Sequence, residues 1–196
     1  MSNQVSSVAG LPRRHATPRQ AETVERLLAA GAEELRRSGH QALTMRMVAR
    51  RAEVSSATAY TYLASKNHLF AELFWAALTA SDDGDPVGAT RTERVQSVVR
   101  TLVAVLDAEP ALAAAVTSAL LSSDPDVERL RLRIGTYLVE RFQRALGEDA
   151  DPVLLEAVTL AFTGALLQGG MGVIGYAEMG ERLLAVVAAI LEGHPA

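Results

Sequence analysis

The stretch from Leu43 to Phe70 constrains this chain most, because three helix-starting hydroxyls follow one another closely within it. Thr44 precedes Met45, Val48, Ala49 and Ala52, which share one helical face, so a helix capped by Thr44 is expected. Ser55 is a second N-cap candidate, and Ser65 a third, opening a run with Leu69, Phe70 and Leu73 on one side. A helix of about eight residues, a turn of about three and a second short helix form the helix-turn-helix layout. The second of these helices is rich in Ser, Thr and Tyr. Small hydroxyl side chains fit a major groove and still hydrogen-bond phosphates or base edges.

Charge gives that layout a partner. The net charge is −4, which taken whole argues against a polyanion. Residues 1–70, however, hold ten Lys and Arg against five Asp and Glu, while the remainder holds nine against eighteen. A basic first third beside an acidic remainder points to two jobs, one of them on nucleic acid. Aromatics make up only 5% of the chain, and Ala and Leu are abundant, a mix that favours helices over sheets. With no cysteine, disulfides and thiolate metal sites are excluded. The first residues form no continuous apolar leader, so the cytoplasm is the expected compartment.

Residues 1–16 lack periodicity and read as a disordered tail, with Arg13 and Arg14 as a possible basic arm. Thr17-Pro18-Arg19-Gln20 is a capping box with proline at the first helical position. Val24, Leu27, Leu28 and Leu35 then recur at helical spacing, and Gly39 is placed to end the helix in a left-handed conformation. This helix is expected to complete a three-helix module around Leu28, Leu35, Leu43, Val48, Ala49, Val54 and Leu63. Glu53 sits in the turn where a glycine would relieve a positive φ.

From about Arg19 to Leu78 the residues resemble the N-terminal domain of the tetracycline-repressor (TetR) family of bacterial transcription regulators. The matching pieces are Leu43-Thr44-Met45-Arg46, Val48-Ala49, Ala52, Val54-Ser55, Thr58, Tyr60, Tyr62 and Ser65-Lys66 followed by Leu69. The sequence departs from the family pattern at four positions. Glu53 stands for the turn glycine, Ala59 for a larger aliphatic, Leu63 for phenylalanine and Ala64 for proline or glycine. The resemblance implies that Thr44 contacts a phosphate. It also implies that Ser55, Ser56, Ala57, Thr58, Tyr60 and Thr61 form the recognition surface. Tyr60 and Tyr62 would reach phosphates, with core packing the other reading for Tyr62. Lys66 would clamp the DNA backbone from the start of the fourth helix, where its charge adds to the helix's positive end. Arg46 can reach a phosphate or a guanine edge.

Beyond residue 65 the chain also reads as all helix. A helix over 66–81 is followed by a break over residues 82–90, Asp-Asp-Gly-Asp-Pro-Val-Gly-Ala-Thr. Helices are then expected over 91–107, from Pro110 to about Ser122, from Pro125 to about Leu146, from Pro152, and over 178–191. Residues 157–177 carry no charge, and could span a bilayer by length alone, but their glycines, glutamine and threonines favour a buried packing helix. Gly170-Met171-Gly172-Val173-Ile174-Gly175 spells the dinucleotide fingerprint without the strand that fingerprint requires, so nucleotide binding is not expected. His15, His40, His68 and His194 are scattered, and no catalytic or metal-ligand constellation accompanies them.

The expectation is therefore an all-α protein. A tail over 1–16 leads to a helix-turn-helix DNA-binding domain over 17–64 and a ligand-binding and dimerisation domain over 65–196. The family resemblance implies a repressor on double-stranded, pseudo-palindromic operator DNA, with no enzymatic activity, cofactor or metal. Apolar faces on the last two long helices suit a homodimer. A hydrophobic or amphipathic effector is expected among Phe70, Phe74, Leu102, Tyr137 and Met171. An all-α enzyme using that cavity, and a DNA-binding dimer without an effector, are the rival readings.

Overall fold

The computed structural model describes residues 17–82 and 84–192, so the basic arm with Arg13 and Arg14 lies outside the described residues. Among the described residues there are nine helices and no strand, as the composition anticipates. They are α1 (Pro18–Ala42), α2 (Met45–Arg51), α3 (Ser56–Tyr62), α4 (Lys66–Ala80), α5 (Arg91–Ala108), α6 (Pro110–Leu120), α7 (Pro125–Leu146), α8 (Pro152–Gly170) and α9 (Tyr176–Glu192).

Local chemistry sets most of these boundaries. The Thr17 hydroxyl accepts from the Gln20 amide, and the Gln20 side chain accepts from the Thr17 amide, closing the capping box of α1. Gly39 breaks the helical geometry at φ 73°, and the Leu43 amide returns to its carbonyl. Thr44 caps α2 through the Met47 amide, and Ser55 caps α3 through the Thr58 amide. Thr90 and Glu93 form a second capping box at the start of α5. There the Glu93 carboxylate accepts from the Ala89 and Thr90 amides, bonds that hold it below its ordinary pKa.

The helices divide into two compact units. The first takes in the described residues up to Ala80 together with Glu109–Arg131. The expected boundary after residue 64 thus falls inside a compact unit. The physical reason is the core: α4 and α6 both pack on α1, and α4 packs on α6. Leu27, Leu35, Leu43, Val48, Ala49, Ala59 and Leu63 are buried with Leu69, Phe70, Phe74, Leu112 and Val116. Leu28 and Val54, expected in this core, are only half-buried, and Leu27 takes the inward position. At Gly31 a Cβ would stand 2.6 Å from Leu69 Cδ1, so glycine is what lets α4 approach α1 this closely. Glu34, also buried, is held by Arg51 across α1 and α2 at 2.7 Å.

The second unit comprises Ser81–Ala108 and Leu132–Ala196, of which residues after 192 are not described. Helix α9 packs on both α5 and α8. Val95, Val98, Val99, Leu102, Phe142, Val158, Phe162, Leu183 and Val187 are buried, and the Phe142 and Phe162 rings meet edge-on at 5.6 Å. Arg141 is buried as well, paired with Asp82 and donating to the Tyr137 hydroxyl at 3.1 Å. Helix α8, with 19 residues and a mean hydropathy of 1.4, is long and apolar enough to cross a bilayer by length and composition. Only 22% of that span is buried, at Leu154, Val158, Phe162 and Gly169, so the buried packing helix expected here is largely exposed in the described unit. The sequence that spells the dinucleotide fingerprint runs from the last residue of α8 to the residue before α9, so a helix and not a strand precedes it.

Candidate nucleic-acid interface

Helices α2 and α3 are short, and each starts on a side-chain cap that satisfies one of its N-terminal amides. The turn between them turns on Glu53, whose φ is 55°. The left-handed conformation expected from the missing glycine is therefore adopted by a glutamate, at a cost of about 1 kcal/mol. The Val54 amide bonds the Ala49 carbonyl and closes the turn.

The turn presents one face of α3 to solvent. Ser55, Ser56, Ala57, Tyr60 and Thr61 are exposed, Tyr60 to 53%. Thr58 is half-buried, and its hydroxyl lies 2.8 Å from that of Ser55. Thr61 donates back to the Ala57 carbonyl at 3.0 Å, which leaves its oxygen lone pairs as acceptors. Ala59 is fully buried, so the small residue at that position anchors the helix. Tyr62 is half-buried, intermediate between the core and phosphate readings.

Thr44 and Arg46 are exposed on the neighbouring helix. They line an open groove of about 470 Å³ with Met47, Ala49, Arg50, Val54 and Ser56. Arg50, which the sequence motifs do not single out, stands one helical turn from Arg46 on the exposed side of α2. The i, i+4 spacing of two arginines was the available signal. The groove therefore pairs two guanidinium groups with Ser56, the first residue of α3, a combination that suits phosphate and base-edge contacts.

Lys66 is the first residue of α4, the position the resemblance implies. Its ammonium donates to the His40 carbonyl at 3.1 Å and the Gln41 carbonyl at 3.4 Å, at the end of α1. A cation there neutralises the negative end of that helix. An ammonium has three donors, so one N–H remains for a phosphate.

The five residues expected around an effector are distributed over both units. Phe70 and Phe74 are buried in the first, and Leu102 in the second. Tyr137 is half-buried, its hydroxyl engaged by Arg141, and burial above all raises its pKa. Met171, just past α8, is 61% exposed and belongs to no core. Among the described residues no three His, Asp or Glu side chains are grouped as metal ligands would be.

Comparison with known proteins bears on this surface. The family model of bacterial regulatory proteins, tetR family, matches residues 27–73. Over 177 residues the chain is 42% identical to an HTH-type transcriptional regulator of Mycobacterium tuberculosis (strain ATCC 25618 / H37Rv), covering 89% of this chain and 83% of the relative. It is 29% identical over 135 residues to the HTH-type transcriptional repressor KstR of Rhodococcus jostii (strain RHA1), covering 68% and 63% of the two. A TetR transcriptional regulator from Rhodococcus sp. RHA1 has a similar structure, with a TM-score of 0.73 at 17% identity over 90% of this chain and all of that one. The transcriptional regulator FadR from Bacillus subtilis, solved in complex with stearoyl-CoA, has a TM-score of 0.62 at 14% identity, covering 83% of this chain and 96% of that one.

Proposed function

The chain belongs to the TetR family of bacterial regulatory proteins, and from that membership we propose that it is a cytoplasmic repressor that binds a pseudo-palindromic operator as a homodimer and leaves it when a hydrophobic or amphipathic small molecule binds. DNA binding is the family's work, and the observation that carries it here is the exposed hydroxyl face of α3 beside the groove of Arg46 and Arg50. On this reading Ser56, Ala57, Tyr60 and Thr61 face the major groove, while Thr44 and the third N–H of Lys66 take phosphates.

The homodimer reading is supported by apolar side chains that the second unit leaves uncovered. On α8 these are Val153, Leu160 and Leu167, which share one helical face. On α9 they are Val186 with the exposed Ala185 and Ala189. Soluble monomers seldom leave such contiguous apolar stripes in water. The effector reading is supported by the apolar surroundings of Phe70, Phe74 and Leu102 and by the acyl thioester that the Bacillus regulator holds. A ligand loosens the DNA complex only by its preference for the conformation that binds DNA poorly.

Footprinting on the DNA upstream of the protein's own gene tests this reading. Two protected half-sites about one helical turn apart are expected, with affinity falling steeply as salt rises. A single protected half-site, or a protein that sediments as a monomer on DNA, would overturn the dimer. Mass spectrometry of small molecules that co-purify with the protein, followed by their addition to the DNA complex, tests the effector. Release by an apolar compound is the expected result.

A further inference from the structure

Two helix N-termini in the first unit are joined through their capping side chains. Ser65 caps α4, its hydroxyl oxygen accepting from the His68 amide at 3.0 Å. Capping uses only the lone pairs of a serine and leaves its single O–H free to donate elsewhere. Ser65 gives that O–H to the carboxylate of Asp124, 59 residues further along the chain. Asp124 stands at the start of α7, where its other oxygen accepts from the Asp126 amide at 2.9 Å. The Ser65 hydroxyl is the main cause that holds the Asp124 carboxyl below its ordinary pKa, against the opposing effect of burial. A hydroxyl bonded to an ionised carboxylate is among the stronger hydrogen bonds a protein makes.

The other polar group of this junction is fixed as well. The Ala64 amide donates to His68 Nδ1 at 3.2 Å, and His68 Nε2 lies 3.4 Å from Glu72 Oε1, both side chains being well buried. The connection between α3 and α4 is only three residues long, from Leu63 to Ser65. Leu63 is buried, Ala64 is held by His68, and Ser65 is held by Asp124. The end of the recognition helix therefore has little freedom beyond what these three anchors leave. The Ser65 anchor reaches the segment joining α6 to α7, while the next residue, Lys66, reaches the end of α1.

We propose that Asp124 is a positioning residue for DNA reading: through Ser65 it fixes the α3–α4 junction, and with it the setting of the recognition helix. The proposal rests on the DNA-binding activity of the family. It differs from a purely structural cap in what its loss does. A lost cap lowers stability and affects every DNA sequence alike. A lost positioning bond impairs base reading, which depends on the placement of α3, more than phosphate attraction, which does not.

The test uses the full chain as Ser65→Ala, Asp124→Ala, the double variant and Ser65→Thr. The probes are a duplex that the wild type selects from a random-sequence pool and an unselected duplex of equal length. Each single alanine variant is expected to weaken the selected duplex about tenfold, with the unselected one within about twofold. The double variant is expected to be no weaker than Asp124→Ala, and Ser65→Thr, which keeps the hydroxyl, to bind like the wild type. Wild-type binding of the selected duplex by Asp124→Ala overturns the proposal. Parallel losses on both duplexes, or a double loss equal to the product of the singles, overturn it too. Amide exchange on the free proteins supplies an arm that needs no DNA. Amides of residues 64–68 are expected to exchange about tenfold faster in Asp124→Ala, with those of residues 24–35 unchanged. Unchanged exchange at 64–68 refutes the bond's role even where no duplex is selected, an outcome that by itself counts against DNA reading. If Asp124→Ala does not fold, Asp124→Asn keeps an oxygen for the α7 cap and removes the charge. A smaller but still selective loss is then expected, and none would overturn the proposal.

Discussion

The α2–α3 surface of the first unit and the α8–α9 surface of the second are both left in water, and they are made of opposite materials. On α3 the exposed residues are Ser56, Ala57, Tyr60 and Thr61, with Arg46 and Arg50 beside them on α2. On α8 and α9 they include Leu160, 63% exposed, and Val186, 46% exposed. Each helix on the first surface has one terminal amide met by a capping hydroxyl, and water can meet the rest, so that surface is stable when wet. The second leaves apolar area whose burial is worth roughly 25 cal/mol per Å². On the proposed reading one kind of surface serves a polyanion and the other an apolar partner, although both are built from the same short-looped helices.

That contrast can be broken from either side. The largest expected effect comes from the apolar side. Leu160→Glu with Val186→Glu places charges on the uncovered faces of α8 and α9 and is expected to yield monomers by sedimentation. DNA affinity should then fall about 100-fold, because two linked half-site contacts become one. Retained dimers in this variant would place the interface elsewhere.

Next in size are the groove arginines. Arg46→Ala should weaken binding by about 1–3 kcal/mol and relax sequence preference if the guanidinium reads a base. A uniform loss, with a salt slope reduced by about one, would assign it to a phosphate. Arg50→Ala, titrated in the same way, is expected to behave as the phosphate contact. Ser56→Ala should alter sequence preference more than Thr58→Ala, since the Thr58 hydroxyl is turned toward Ser55. An equal change at both positions would mean that the Thr58 side chain rotates on binding.

Acid titration sharpens the comparison within the first unit. Asp124 has a lowered pKa in the folded chain, so it stabilises fully above the ordinary aspartate range, and that contribution is lost as pH falls through the lowered value. The stability difference between wild type and Ser65→Ala should therefore be steady near neutrality and shrink in acid. A difference independent of pH would deny the carboxylate its part in the bond. The smallest effect is expected at Glu53→Gly. Relief of the φ of 55° outweighs the greater freedom of glycine in the unfolded chain, giving a gain of roughly 0.5 kcal/mol by thermal denaturation.

What the sequence disclosed follows the range of the interactions. Thr17 with Gln20, Thr44, Ser55 and Ser65 act within three residues of themselves, and each caps the helix its spacing implied. The positive φ at Glu53 and the break at Gly39 are equally local. The inward choice of Leu27 over Leu28 was less legible, because neighbouring residues differ by only about 100° around a helix. The Lys66 bonds to the end of α1, the Arg36–Glu109 pair at 3.2 Å and the Ser65–Asp124 bond join residues 25 to 73 positions apart. No periodicity or cap signal reports contacts of that reach, and with them the place of α6 in the first unit was hidden. The exposed face of α3 was readable, since hydroxyls with no apolar period have no core to enter. The part of Arg50 in the groove was not, because it depends on how α2 meets α3.

The place of α4 and α6 in the core around α1 also matters to anyone who would build with this chain. A fragment cut after residue 64 would uncover Leu27, Leu35 and the hollow at Gly31 into which Leu69 fits. Such a piece would be a poor cassette for grafting onto another sensor. A chimera that exchanges specificities should carry residues 17–80 together with 109–131, even though the chain between them belongs to the second unit. The smallest exchangeable part of this protein is therefore discontinuous in its gene.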